Sequence, residues 1–150
     1  MKKVLLLIAV LLLNTGAFAQ IEKPVKWSYA AKRLKNNEAV IFLRATIQDS
    51  WHIYSQNVKD GGPIKTSFTF APSKDFTLVG KTAEPTPVTK YEDAFKMNVS
   101  YFENTVTFQQ KIRLKTPNAT SVKGQLEYET CNNKKCLPPE DVDFDIPLGK

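Results

Sequence analysis

Cysteine, histidine and methionine are all scarce in this chain: two, one and two among 150 residues. Two thiols and one imidazole fall short of the four ligands a structural zinc ion usually takes. No G-x-S-x-G, P-loop or H-E-x-x-H pattern occurs, so the chain offers none of those catalytic scaffolds. No C-x-x-C opens a helix in a βαβ setting, which sets thioredoxin-like enzymes aside. Alanine is sparse beyond the N-terminus, and no segment sustains a 3.6-residue apolar period, which argues against helices. Beyond Val4–Leu13 no long apolar run appears, so stable membrane insertion is not expected. Internal repeats and low-complexity linkers are missing as well. Lysines are scattered rather than clustered. The net charge of +6 therefore reads as a solvated surface and not as a nucleic-acid footprint.

What is present begins with an address. Met1-Lys2-Lys3 is positive, Val4 to Leu13 is apolar, and Ala17-Phe18-Ala19 places small residues where a signal peptidase reads. Residues 1–19 therefore read as a secretory signal cut before Gln20, and the bacterial periplasm as the destination. The apolar run is too short for the roughly 20 residues a bilayer span requires. Without Lys2 and Lys3, 19 basic residues face 15 acidic ones, a modest surplus. Residues 20–150 are one domain in size. A domain of about 130 residues buries about two-thirds of its unfolded surface and can fold without covalent staples.

The mature sequence is patterned for strands. Trp27-Ser28-Tyr29-Ala30 opens an aromatic alternation, and Asn36-Asn37 signals a turn. Ile41, Leu43, Ala45 and Ile47 then share one face of a segment from Ala39 to Ile47, with Arg44 and Thr46 opposite, the period of a half-buried strand. Trp51–Tyr54, Thr66–Phe70, Phe76–Val79, Gly124–Thr130 and Val142–Leu148 read as further strands. Tyr101-Phe102 and Thr105–Leu114 read as a strand pair around a Glu103-Asn104 turn. Glu84-Pro85-Thr86-Pro87 cannot lie inside a sheet, because each proline removes a ladder donor. Tyr91 to Asn98, polar with a lone Phe95, reads as a loop. The expectation is an all-β, immunoglobulin-like sandwich of about eight or more strands.

Both cysteines fall between two of these strands, in Cys131-Asn132-Asn133-Lys134-Lys135-Cys136. Asn-Asn tolerates left-handed backbone and suits a tight hairpin, which would set the thiols facing each other at a separation a disulfide can bridge. An exported chain meets an oxidising compartment, so the pair is expected to be able to bond. Closing a six-residue ring stabilises a fold by about 2 kcal/mol, against about 3 for fifteen residues. Such a bridge is a weak staple, and a hairpin tip is within reach of another thiol. Two readings stay open on the residues alone: redox exchange, or a structural bridge in a secreted binding domain. A metal-handling site using Cys131, Cys136 and Met97 or His52 is a third. Lys134 and Lys135 favour thiolate while Glu127, Glu129 and Glu140 oppose it, and the balance has no sign at this level.

Cys131-Asn-Asn-Lys-Lys-Cys136-Leu137-Pro138-Pro139-Glu140, followed by the alternating Val142-Asp-Phe144-Asp-Ile146, resembles the N-terminal periplasmic domain of the DsbD disulfide reductases. The signature there is two cysteines across a short spacer, an apolar or aromatic residue, then Pro-Pro. Glu92-Asp93-Ala94-Phe95, with Tyr101-Phe102 downstream, is similar to that family's cap loop, and Asp49-Ser50-Trp51-His52-Ile53-Tyr54 to its aromatic strand. The matches run in the same order over most of the mature chain.

The resemblance implies an immunoglobulin-like fold with a dithiol on a hairpin near the C-terminus. It also implies a task. Electrons arrive from a thioredoxin-like domain or membrane thiol carrier and leave to oxidised periplasmic proteins, with a link to cytochrome c biogenesis. By resemblance Cys136 forms the mixed disulfide with partners and Cys131 resolves it, by thiolate attack on a disulfide sulfur. Phe95 matches the aromatic cap over the disulfide; its other reading is a buried core aromatic. Asp93 matches one acid of the cap loop, and Ala94 stands where a second is common. His52 and Tyr54 match site-lining positions that are often both tyrosine. His52 then either tunes a thiol or is an ordinary strand histidine. Family members usually carry a fused membrane carrier, so here a separate carrier is the expected donor. A monomer with no cofactor and no resident metal is expected.

Overall fold

The structure, a computed structural model, describes residues 22–149. The signal read over residues 1–19 and its cut before Gln20 lie outside the described residues. Within them the chain folds into eleven strands and no helix.

Three antiparallel sheets form. The first has the order β1 (Val25–Arg33), β2 (Glu38–Ile47), β8 (Thr105–Leu114), β5 (Phe76–Ala83). The second runs β10 (Thr130–Asn132), β3 (Trp51–Tyr54), β7 (Met97–Glu103), β6 (Val88–Glu92). The third is β11 (Glu140–Pro147), β9 (Ser121–Tyr128), β4 (Ser67–Phe70). Strict alternation decides which faces meet. Ala39, Ile41, Leu43, Ala45 and Ile47 of β2 are buried, as are Val106, Phe108, Ile112 and Leu114 of β8. They pack in one core with Val122, Leu126 and Tyr128 of β9 and Phe144 and Ile146 of β11. Phe108 is the hub: its ring lies 4.9 Å from Phe68 of β4, 5.7 Å from Phe102 of β7 and 6.1 Å from Trp27 of β1. Each such aliphatic or aromatic side chain, fully buried, contributes about 1.5–3 kcal/mol. The result is an immunoglobulin-like sandwich.

One polar side chain enters this face. Gln110 of β8 is buried beside a register shift in β5 between Val79 and Ala83. Its Nε2 donates to the carbonyls of Lys111 (2.7 Å) and Val79 (3.3 Å), and its Oε1 accepts from the Thr82 hydroxyl (2.9 Å). The bulge would otherwise leave backbone acceptors without partners.

Three expectations change. Tyr91–Asn98 is not simply a loop: β6 and β7 pair from Val88↔Tyr101 to Glu92↔Met97, leaving only residues 93–96 as the connection. Tyr101-Phe102 and Thr105–Leu114 are both strands, but they do not pair with each other. Asn104, at φ 59°, carries the chain from the second sheet to the first. Gly124–Thr130 divides at Glu129 into β9 and β10, which belong to different sheets. The Asn36-Asn37 turn is present, with both residues at positive φ (62° and 57°), as a tight hairpin between β1 and β2 requires.

Candidate functional site

The cysteines sit on an excursion from a hairpin. β9 and β11 pair from Ser121↔Pro147 to Tyr128↔Glu140, and the intervening residues 129–139 leave that sheet. Their first part becomes β10, which docks along β3 with Thr130↔Ile53, Cys131↔His52 and Asn132↔Trp51. The Thr130 hydroxyl donates to the His52 carbonyl (2.9 Å) and pins the excursion there. The chain then reverses. Asn132 N–H donates to Lys135 O (2.9 Å), and Leu137 N–H donates to Thr130 O (2.9 Å). The Asn132 side chain closes the tip, its Oδ1 accepting the N–H groups of Lys134 (2.8 Å) and Lys135 (2.9 Å). The Asn-Asn pair therefore works through a side-chain turn. Left-handed backbone is used at Asn36-Asn37 and not here. Pro138 and Pro139 follow, and neither can donate to a ladder, so pairing stops and the chain returns to the third sheet.

This reversal sets Cys131 and Cys136 opposite each other, Cα atoms 4.0 Å apart, joined by a disulfide. The two sulfurs differ in access. Cys131 is 2% exposed and belongs to a small second core with Tyr54, Val99 and Tyr101. Cys136 is exposed and lies beyond the edge strand β10.

An open cleft of about 380 Å³ borders the disulfide, lined by His52, Tyr54, Lys90, Glu92, Ala94 and Phe95 together with residues 131–136. Phe95 is half-buried and packs on the second core that holds Cys131. It sits in a short turn in which its N–H donates to Glu92 O (3.2 Å) and Lys96 takes φ 55°. Phe95 thus both lines the cleft and packs on the second core. His52 and Tyr54 face the cleft from alternate positions of β3, with His52 Nε2 and Tyr54 Oη 3.2 Å apart. Burial pushes the His52 pKa down; Glu92 and Glu103 partly oppose this and Lys90 adds to it. Tyr54 is pushed well up, first by burial and then by Glu129 and Glu92. Asp93 is placed differently. Its side chain is 91% exposed and ion-pairs with Lys96 at 3.6 Å, away from the cleft lining. Ala94 takes the lining position, and the loop's cleft-facing acid is Glu92.

Among the charges near the cysteines, Lys135 pairs with Glu22, and Glu140 accepts a hydrogen bond from Tyr128 Oη (3.2 Å). Glu129 lies beside the pair: one of its carboxylate oxygens is within 4.8 Å of both sulfurs. In the sequence Glu129 is one of several acids around the motif. Only its i, i+2 relation to Cys131 hinted at a shared face. No helix among the described residues is long and apolar enough to cross a membrane.

Fold and site together define a class: an immunoglobulin-like sandwich that displays a disulfide-bonded cysteine pair on a hairpin, with one sulfur buried and one open. The chain belongs to the family described as thiol:disulfide interchange protein DsbD, N-terminal, which matches residues 20–147. This family takes part in thiol–disulfide exchange. Three solved structures share the fold. The N-terminal periplasmic domain of ScsB from Proteus mirabilis is 18% identical, with a TM-score of 0.62 over 85% of this chain and 47% of that one. The chain thus spans about half of that structure. The reduced DsbD N-terminal domain of Neisseria meningitidis is 18% identical, with a TM-score of 0.52 over 79% of this chain and 83% of that one. The same organism's DsbD N-terminal domain in complex with the PilB N-terminal domain gives 15% identity and a TM-score of 0.54, over 84% and 87% of the two chains. No curated protein matches the chain.

Proposed function

We propose that this chain is a periplasmic thiol–disulfide exchange module. Its Cys131–Cys136 pair accepts electrons from a thioredoxin-like domain or a membrane thiol carrier and passes them to oxidised periplasmic proteins. One observation carries the reading: the disulfide is closed on the Cys131 side and open on the Cys136 side. In the dithiol form, the Cys136 thiolate attacks a substrate disulfide, forming a mixed disulfide and releasing one substrate thiolate. The Cys131 thiolate then attacks Cys136 Sγ, the Cys131–Cys136 bond forms, and the second substrate sulfur leaves with the electron pair. A donor dithiol reverses both steps to restore the reduced form.

Phe95 acts in this reading as a cover over the cleft that shifts to admit a partner. His52 and Tyr54 form the cleft's floor. The complex of the DsbD and PilB N-terminal domains from Neisseria meningitidis supports a second folded domain as the partner. A Cys131→Ala variant, incubated with a disulfide-bonded thioredoxin-like protein, should accumulate a covalent complex through Cys136. Cys136→Ala should form little. Failure of both variants to form the complex would leave a structural bridge and sink the proposal.

A further inference from the structure

We propose that Glu129 is the proton acceptor for Cys131 when that thiol resolves the mixed disulfide held on Cys136; the inference rests on the exchange reading above. Glu129 is the first residue of the excursion and half-buried. It stands two residues before Cys131, at the crossing from β9 to β10. A carboxylate oxygen lies within 4.8 Å of both sulfurs. Its Oε2 accepts the Ile64 N–H at 2.7 Å, which holds the carboxylate in place from the β3–β4 connection. Cys131, at 2% exposure, has little access to water that could take its proton. The step balances without an outside reagent. The carboxylate takes the proton from Cys131 Sγ–H, the thiolate attacks Cys136 Sγ, the Cys131–Cys136 bond forms, and the partner sulfur leaves as thiolate.

The other charged or titratable groups around the pair come from three elements. Lys134 and Lys135 lie on the hairpin, with Lys135 bound to Glu22. His52 and Tyr54 come from β3, paired at 3.2 Å, and Lys90 and Glu92 from β6. His52 is the rival acceptor, since it lies opposite Cys131 in the register of β3 and β10. A bystander role for Glu129 makes an opposite prediction. A fixed negative charge disfavours a neighbouring thiolate, so removing a bystander charge would speed resolution, whereas removing an acceptor slows it.

The test mixes the reduced full-length protein with glutathione disulfide at pH 7 in a single turnover. Acid quench, alkylation and mass spectrometry then follow the Cys136–glutathione adduct. Glu129→Gln keeps an oxygen for the Ile64 N–H but cannot take the proton. Its adduct should decay at least about tenfold more slowly than in the native protein, with an unchanged melting curve. Glu129→Asp should fall between the two. Decay in Glu129→Gln that is as fast as native or faster overturns the proposal. So does slow decay in His52→Gln with native decay in Glu129→Gln. Cys131→Ala is the control for the underlying reading: if it accumulates no adduct at Cys136, the exchange function fails, and this inference falls with it.

Discussion

Burial treats the two hairpin cysteines unequally, and their reactivity should follow. In the reduced protein at pH 7, iodoacetamide should modify Cys136 at least about tenfold faster than Cys131, read by peptide mass spectrometry, because the thiolate must meet its reagent. Equal rates would contradict the assignment of Cys131 to the second core. His52 makes a separate prediction. Its pKa is near 6.5 in the unfolded chain and is lowered in the fold, chiefly by burial. Just below pH 6.5 the unfolded chain binds a proton that the folded one does not. Stability is therefore complete above about pH 6.5 and declines as pH falls toward the folded value. Urea midpoints should drop between pH 7 and 5.5, and His52→Gln should flatten that slope. At this scale the sequence was partly legible. The cysteines stand out because their bond is local and their spacing small. That His52 and Tyr54 share a face follows from period 2 on β3, while their place beside the cysteines was implied by the family resemblance alone. Asp93 and Glu129 were not separable, because charge along a chain says nothing of direction. One residue turned out to solvent and the other toward the sulfurs.

Elements position these residues, and two of them were misread for physical reasons. Nearly every residue of β6 is exposed, so its sequence lacks the alternation by which strands are recognised. β7 and β8 look like a hairpin because they are adjacent and both apolar, yet left-handed Asn104 sends them into different sheets. The β6–β7 turn lines the cleft through Ala94 and Phe95. Phe95→Ala should speed reduction of the disulfide by dithiothreitol severalfold, measured under pseudo-first-order conditions. An unchanged rate with a large loss of stability would make Phe95 a core residue only. The exit of β3 is fixed from the far side. Glu84 accepts from the Ser55 hydroxyl (2.5 Å), the Gln56 N–H (2.9 Å) and Asn57 Nδ2 (2.7 Å). Ser55 is fully buried, so losing the carboxylate leaves donors unmet. Glu84→Ala should cost about 1–3 kcal/mol in chemical denaturation.

For the whole molecule, the sandwich and the dithiol are energetically separable. The main core runs through β2, β8, β9 and β11, while Cys131 packs in the smaller cluster with Tyr54, Val99 and Tyr101. Opening a six-residue ring removes about 2 kcal/mol, whereas Phe108→Ala at the aromatic hub should remove about 3–5. A scaffold of this kind can cycle its cysteines between oxidised and reduced forms without unfolding. The all-β class was legible because both inner faces alternate strictly. The division into three sheets was not, because it depends on single-residue crossings such as Asn104 and Glu129. The exchange account rests on a pair poised to trade electrons, and its reduction potential reports that directly. Equilibration in dithiothreitol and glutathione buffers, with the thiol fraction read by alkylation, should place the pair near the thioredoxin range, about −270 mV. A value well below about −300 mV, where structural disulfides lie, would contradict it.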